Sequence, residues 1–152
     1  MISFVTTKVT KKDMKESIIE VKNLRNAWNA VRTKESTGGI DGMSIEEYGR
    51  NIERNLEKLN SALADGKWRP MPYLDLRIPK SDGGERTIGL SVVEDKIVQT
   101  AIKTKIEPLL ERTFSSSSYA YRPSRGHQRC VRRVMAELSK NRNGWYFRRE
   151  VG

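Results

Sequence analysis

The chain has 152 residues, 36% hydrophobic and 32% charged, with a formal net charge of +10. That length allows one domain with a modest core, and the basic excess favours a polyanion through counterion release, with acidic lipid headgroups the competing partner. No apolar run approaches the roughly 18 residues of a membrane span, the first residues, Met1 to Thr6, lack the apolar length and cleavage site expected of a secretory signal, and a single cysteine with a single histidine excludes an internal disulfide and leaves little basis for a zinc or Ser-His-Asp site.

Residues 1–11 read as a basic, loosely ordered arm. From Asp13, apolar residues at Met14, Ile18, Val21, Leu24, Trp28 and Val31 follow steps of three and four, which predicts one helix. A turn-rich loop follows through Gly38-Gly39-Ile40-Asp41-Gly42. Ser44 with Glu47 forms a capping box, opening a helix whose apolar face carries Ile45, Tyr48, Ile52, Leu56, Leu59 and Leu63 and which stops near Gly66.

Pro70, Pro72 and Pro79 forbid a helix interior between Trp68 and Lys80, while Leu74, Leu76 and Ile78 alternate as a strand. Ser81-Asp82-Gly83-Gly84 is a hairpin turn, with the return strand over 86–90. A long helix follows with Val93, Ile97, Ala101, Ile102, Ile106 and Leu109 inward, bent or reset at Pro108. After a loop over 115–125, a last helix runs from about Gly126 to Lys140, and Asn143-Gly144 turns into a strand from Trp145 to Val151.

Two constellations point to anion binding. Lys80 and Arg86 flank a glycine tip, where cations could close over a polyphosphate or merely solubilise an ordinary hairpin. Arg125, Arg129 and Arg132 recur at helical spacing beside Arg133, opposite an apolar stripe of Cys130, Val131, Val134 and Leu138 expected to face the core. Acidic residues are nearly absent from 119–134, so this stripe is expected to stay un-neutralised and to meet phosphate. Tyr119, Tyr121 and Arg122 can stack on bases or riboses, or pack beside Phe114. His127 is expected at a helix start and Cys130 in the core. Asp41, Asp75, Asp82 and Asp95 are scattered without the convergence that two-metal chemistry requires, so no metal site is read from them.

Taken together, these residues resemble the first part of bacterial reverse transcriptases of the group II intron class. The matching blocks, in order, are Gly39-Ile40-Asp41-Gly42, Lys67-Trp68-Arg69-Pro70, Ile78-Pro79-Lys80, Gly84-Glu85-Arg86-Thr87-Ile88-Gly89, Asp95-Lys96-Ile97-Val98-Gln99, Glu107 to Phe114, Ser118 to Pro123, and Arg125-Gly126. The resemblance implies an α+β fold, mostly helical with a β-hairpin, forming the fingers and the start of the palm of a right-hand polymerase. Residues 1–11 would be an arm, 12–141 the fingers region and 142–152 a truncated first palm strand. By that resemblance Lys80 and Arg86 hold the incoming deoxynucleoside triphosphate. Arg77, Tyr121, Arg122, Arg125, Arg129 and Arg132 contact the RNA template and the DNA or RNA primer, in the cytoplasm and away from membranes. Magnesium serves the full-length enzyme.

One departure stands out. Glu150 occupies the position of the first metal-binding aspartate in the family, and one extra methylene moves a carboxylate by about 1 Å, beyond the roughly 0.5 Å tolerance of a preorganised site. With the remaining palm motifs also missing, the chain is expected to bind no metal and not to polymerise alone. The alternative is a catalytically inactive, stand-alone RNA-binding protein derived from such an enzyme.

Overall fold

The computed structural model describes residues 10–34 and 38–140 and divides into two compact units, 1–108 and 109–152. Its elements are α1 (Lys11–Ile19), α2 (Val21–Arg32), α3 (Ile45–Arg50), α4 (Ile52–Ala64), β1 (Leu74–Pro79), β2 (Glu85–Leu90), α5 (Val93–Glu111) and α6 (His127–Lys140). The mostly helical α+β composition agrees with the expectation from sequence. The strand expected over 145–151, and Glu150 with it, lies outside the described residues.

The single helix expected from Asp13 is two. Thr10 and Asp13 close a capping box that starts α1, so the ordered helix begins inside the residues read as an arm. At Glu20 the backbone turns extended, with φ −48° and ψ 128°. The break leaves the last carbonyls of α1 without helical donors, and two asparagines supply them. Asn23 Nδ2 donates to the Ile18 carbonyl at 2.9 Å and to the Ala101 carbonyl at 3.2 Å. Asn60 Nδ2 donates to the Ile19 carbonyl at 2.6 Å. Asn23 is buried, and its amide joins α1, α2 and α5.

The second expected helix is also divided. The Ser44–Glu47 capping box forms as read, with Ser44 N 2.9 Å from Glu47 Oε2 and Glu47 N 3.1 Å from Ser44 Oγ. The helix then breaks at Asn51, φ −124° and ψ 38°, and Asn55 Nδ2 caps the freed Tyr48 carbonyl at 2.9 Å. Just before the break, a Cβ on Gly49 would lie 3.0 Å from the Trp28 ring, so a larger residue there would require the ring to shift.

The core of the first unit joins Leu24, Ala27, Trp28 and Val31 of α2, Tyr48 of α3, Leu56 and Leu59 of α4, and Val93, Ile97, Val98 and Ala101 of α5. Apolar residues at helical spacing bury one stripe from each helix, and that burial is the main stabilising term. Trp28 and Tyr48 pack with ring centroids 5.6 Å apart. The glycine loop is pressed onto the start of α5: a Cβ on Gly39 would sit 2.5 Å from the Val92 nitrogen. Helix α5 continues through Pro108 to Glu111, and the boundary between the two units falls at that proline.

Candidate nucleic-acid interface

Strands β1 and β2 pair antiparallel from Leu74↔Leu90 to Pro79↔Glu85. At the tip, Gly83 N donates to the Lys80 carbonyl at 3.2 Å and Lys80 N to the Gly84 carbonyl at 2.7 Å. With Gly83 at φ +83°, this is a three-residue loop ending in a left-handed glycine, a geometry that side chains bearing a Cβ resist. Asp82 Oδ1 fixes the turn by accepting from Gly84 N at 3.1 Å.

Register decides which cations share a face. Ile78 pairs with Arg86 and Leu76 with Ile88, so Arg86 extends the apolar face of the hairpin. Lys80 continues that face, and its stem lies over Gly84, 3.7 Å from where a Cβ would stand. Arg77 points to the other face and pairs loosely with Glu85 at 3.9 Å. Neither Lys80 nor Arg86 has a carboxylate partner among the described residues. Leu74 and Leu76 remain exposed, so this strand face is not packed into the core.

At the base of the hairpin, Asp95 in the first turn of α5 accepts from Met71 N at 3.0 Å. Burial pushes the Asp95 carboxyl above the usual range, while the Met71 bond opposes that rise and the charge of Asp41 adds to it. Glu94 is raised for the same leading reason, desolvation, and accepts a bond from the Tyr48 hydroxyl at 3.4 Å. An open depression of about 270 Å³ in the same unit is lined by Val31, Lys34, Lys96, Gln99 and Thr100. Burial lowers Lys96, and Asp41 partly restores it. Sequence reasoning did not single out this depression.

In the second unit, the arginines divide into two kinds. Arg122, expected to contact nucleic acid, is nearly buried. Its Nε lies 3.1 and 3.0 Å from the two carboxylate oxygens of Glu111, and its Nη2 lies 2.6 Å from Oε1. Nη1 donates to the carbonyls of Ser115 at 2.6 Å and Ser118 at 2.9 Å, and the guanidinium stands 5.2 Å from the Phe114 ring centroid. The bond from Arg122 holds the Glu111 carboxyl below its ordinary value. Arg122 thus has an acid partner eleven residues upstream, outside the acid-free stretch 119–134 that holds the arginine stripe.

Arg125, Arg129 and Arg133 instead hydrogen-bond to uncharged groups. Arg125 donates to the Ser116 carbonyl at 2.7 Å and lies 5.6 Å from the Tyr119 ring centroid. Arg129 donates to the Ser124 carbonyl at 2.8 Å, and Arg133 reaches the Tyr119 hydroxyl at 3.5 Å. Arg125, Arg129 and Arg133 line an open depression of about 300 Å³ with Ser116 and Tyr119. Arg129 and Arg132 line another of about 460 Å³ at the start of α6, with Ser124, Gly126, His127 and Gln128. Tyr121, with φ 56°, is fully exposed.

The apolar side of α6 corrects the sequence reading. Val131, Val134 and Leu138, expected in the core, are exposed, as is Met135, and Cys130 is half-buried. The spacing is amphipathic, but a stripe is buried only where another element covers it. Among the described residues, no group of three or more His, Cys, Asp or Glu side chains converges to hold a metal. None of the described helices is long and apolar enough to cross a membrane.

No family model matches the chain. Protein YkfC of Escherichia coli K12 is 33% identical over 103 residues, which cover 68% of this chain and 27% of YkfC. Group II intron-encoded protein LtrA of Lactococcus lactis subsp. cremoris is 25% identical over 100 residues, 65% of this chain and 16% of LtrA. The COX1/OXI3 intron 2 protein of Saccharomyces cerevisiae is 27% identical over 105 residues, 69% of this chain and 12% of that protein. The chain thus spans 27% or less of the length of these curated relatives. Over the matched residues it is similar, at 25–27% identity, to group II intron-encoded proteins of the reverse-transcriptase class that its sequence resembles.

Proposed function

We propose that this chain provides fingers-region contacts of an RNA-directed DNA polymerase, binding the incoming deoxynucleoside triphosphate and the RNA template with its primer. The observation that carries this reading is the hairpin. Lys80 and Arg86 lie on one face beside a glycine tip, exposed and without acidic partners among the described residues. A triphosphate presents closely spaced oxygens. A mobile ammonium matches them as a point charge, and a planar guanidinium matches them in pairs. Arg125, Arg129 and Arg132 contact the RNA backbone, and Arg77 remains available through its weak, exposed pairing with Glu85.

Magnesium supplies charge neutralisation for phosphoryl transfer in polymerases of this kind. The described residues do not fit an ion, since no three ligands converge among them. Their share is binding and orientation, in the cytoplasm and away from membranes.

The test is equilibrium binding of a fluorescent deoxynucleoside triphosphate to the 152-residue chain. Lys80→Ala and Arg86→Ala each weaken binding by about tenfold or more, as expected for lost bonds to a charged group. Lys103→Ala, which removes a cation already paired with Glu107, leaves binding unchanged. Equal affinities for all four proteins would overturn the reading.

The arginine-lined depressions favour a second reading, a catalytically inactive RNA-binding protein. It would hold if RNA binds tightly while Lys80→Ala and Arg86→Ala leave triphosphate affinity unaltered.

A further inference from the structure

Tyr121 is the least buried aromatic residue described, and its backbone is left-handed at φ 56°. Side chains with a Cβ rarely adopt that region. A fully exposed ring gains nothing from packing that would offset the strain, so the surrounding loop must impose it. The next residue is Arg122. Its guanidinium binds Glu111 through both carboxylate oxygens, the Ser115 and Ser118 carbonyls, and the face of Phe114. On the far side, Arg125 N donates to the Arg122 carbonyl at 3.2 Å, and Ser124 is also left-handed at φ 56°. Tyr121 thus stands at the apex of a loop clamped from inside.

We propose that the Glu111–Arg122 pair is a positioning device that holds Tyr121 outward as a stacking platform for an unpaired base of single-stranded RNA. This rests on the RNA-contacting part of the proposed function. A ring exposed on both faces suits the flat surface of a base, and that surface is open only in single strands, loops and ends. Arg125, Arg129 and Arg132 lie within eleven residues of it along the chain and would meet the adjoining phosphates. Arg122 has no free donor edge for a phosphate, since every guanidinium nitrogen is already bonded.

The probe is a short single-stranded RNA carrying 2-aminopurine, titrated with the full chain at several salt concentrations. Tyr121→Ala lowers affinity about five- to tenfold and abolishes the base quenching, while the salt slope is unchanged; Tyr121→Phe retains both. Glu111→Gln makes the protein more positive, yet it weakens binding and quenching because the clamp opens. Arg122→Lys keeps the charge and shows the same loss. The proposal is overturned if Glu111→Gln tightens binding, if Arg122→Lys behaves as wild type, or if Tyr121→Ala leaves quenching intact. Tyr121 is a surface residue, so its variants stay informative even if the clamp variants unfold the loop. Salt-sensitive RNA binding with an unaltered Tyr121→Ala protein would sink this inference alone. Absence of RNA binding would remove the RNA role as well, leaving the triphosphate result to stand separately.

Discussion

The carboxylate of Asp95 accepts a hydrogen bond from the backbone N–H of Met71 at 3.0 Å, tying the extended approach to the hairpin onto the first turn of α5. Asp95 is only 3% exposed, so the bond forms where water does not compete for it. The same carboxylate suits its position at a helix N-terminus, where backbone N–H groups favour negative charge. The hairpin bearing Lys80 and Arg86 is held at its root by this contact.

Replacing Asp95 with Ala should cost about 1–3 kcal/mol, because the part-buried bond from Met71 N to a charged carboxylate is lost. Asp95→Asn keeps an acceptor and loses a desolvated charge, so it should cost less at neutral pH. The folded-state pKa of Asp95 is raised; wild type therefore gains on Asp95→Asn as pH falls through that raised value. Urea denaturation at pH 7 and pH 4 measures both effects. Equal stability of wild type and Asp95→Ala would show that the tether contributes nothing.

Asn23 should be intolerant of substitution. Asn23→Leu is close in volume but cannot donate to the Ile18 and Ala101 carbonyls, and the expected loss is about 1–3 kcal/mol. Thermal melting of the variant would reveal it. A melting temperature matching wild type would mean that those carbonyls find other donors.

Much of this architecture could be read from residues alone, and the misses have identifiable causes. Ser44 and Glu47 lie three apart ahead of an apolar run, and the box formed. The alternation of Leu74, Leu76 and Ile78 before Asp82-Gly83-Gly84 likewise located the hairpin. The breaks at Glu20 and Asn51 escaped notice because apolar spacing runs through both, and the asparagine amides that support them act from the next helix turn or from another helix. Exposure of Val131, Val134 and Leu138 was equally invisible, since periodicity reports an apolar face but not what covers it. The pairing of Arg122 was invisible because its carboxylate partner, Glu111, belongs to a different element.

Acid should loosen the loop around Arg122. Glu111 is held below its ordinary value of 4.5, chiefly by the bond from Arg122. A lowered folded-state pKa contributes stability that is present above the ordinary value and lost as pH falls through the folded one. Amide exchange in residues 112–126, corrected for intrinsic rates, should therefore show protection falling below about pH 4.5 in wild type. In Glu111→Gln, protection should be low throughout and show no such step. A matching acid step in that variant would assign the transition to another group.

If this basic, two-unit chain engages a polyanion through specific cations, as proposed, its affinity for single-stranded RNA must depend on salt. The expected result is a linear fall of log affinity with log salt, with Arg129→Ala and Arg132→Ala each reducing the slope by about 0.7. A salt-independent affinity, or slopes identical in wild type and both variants, would contradict it.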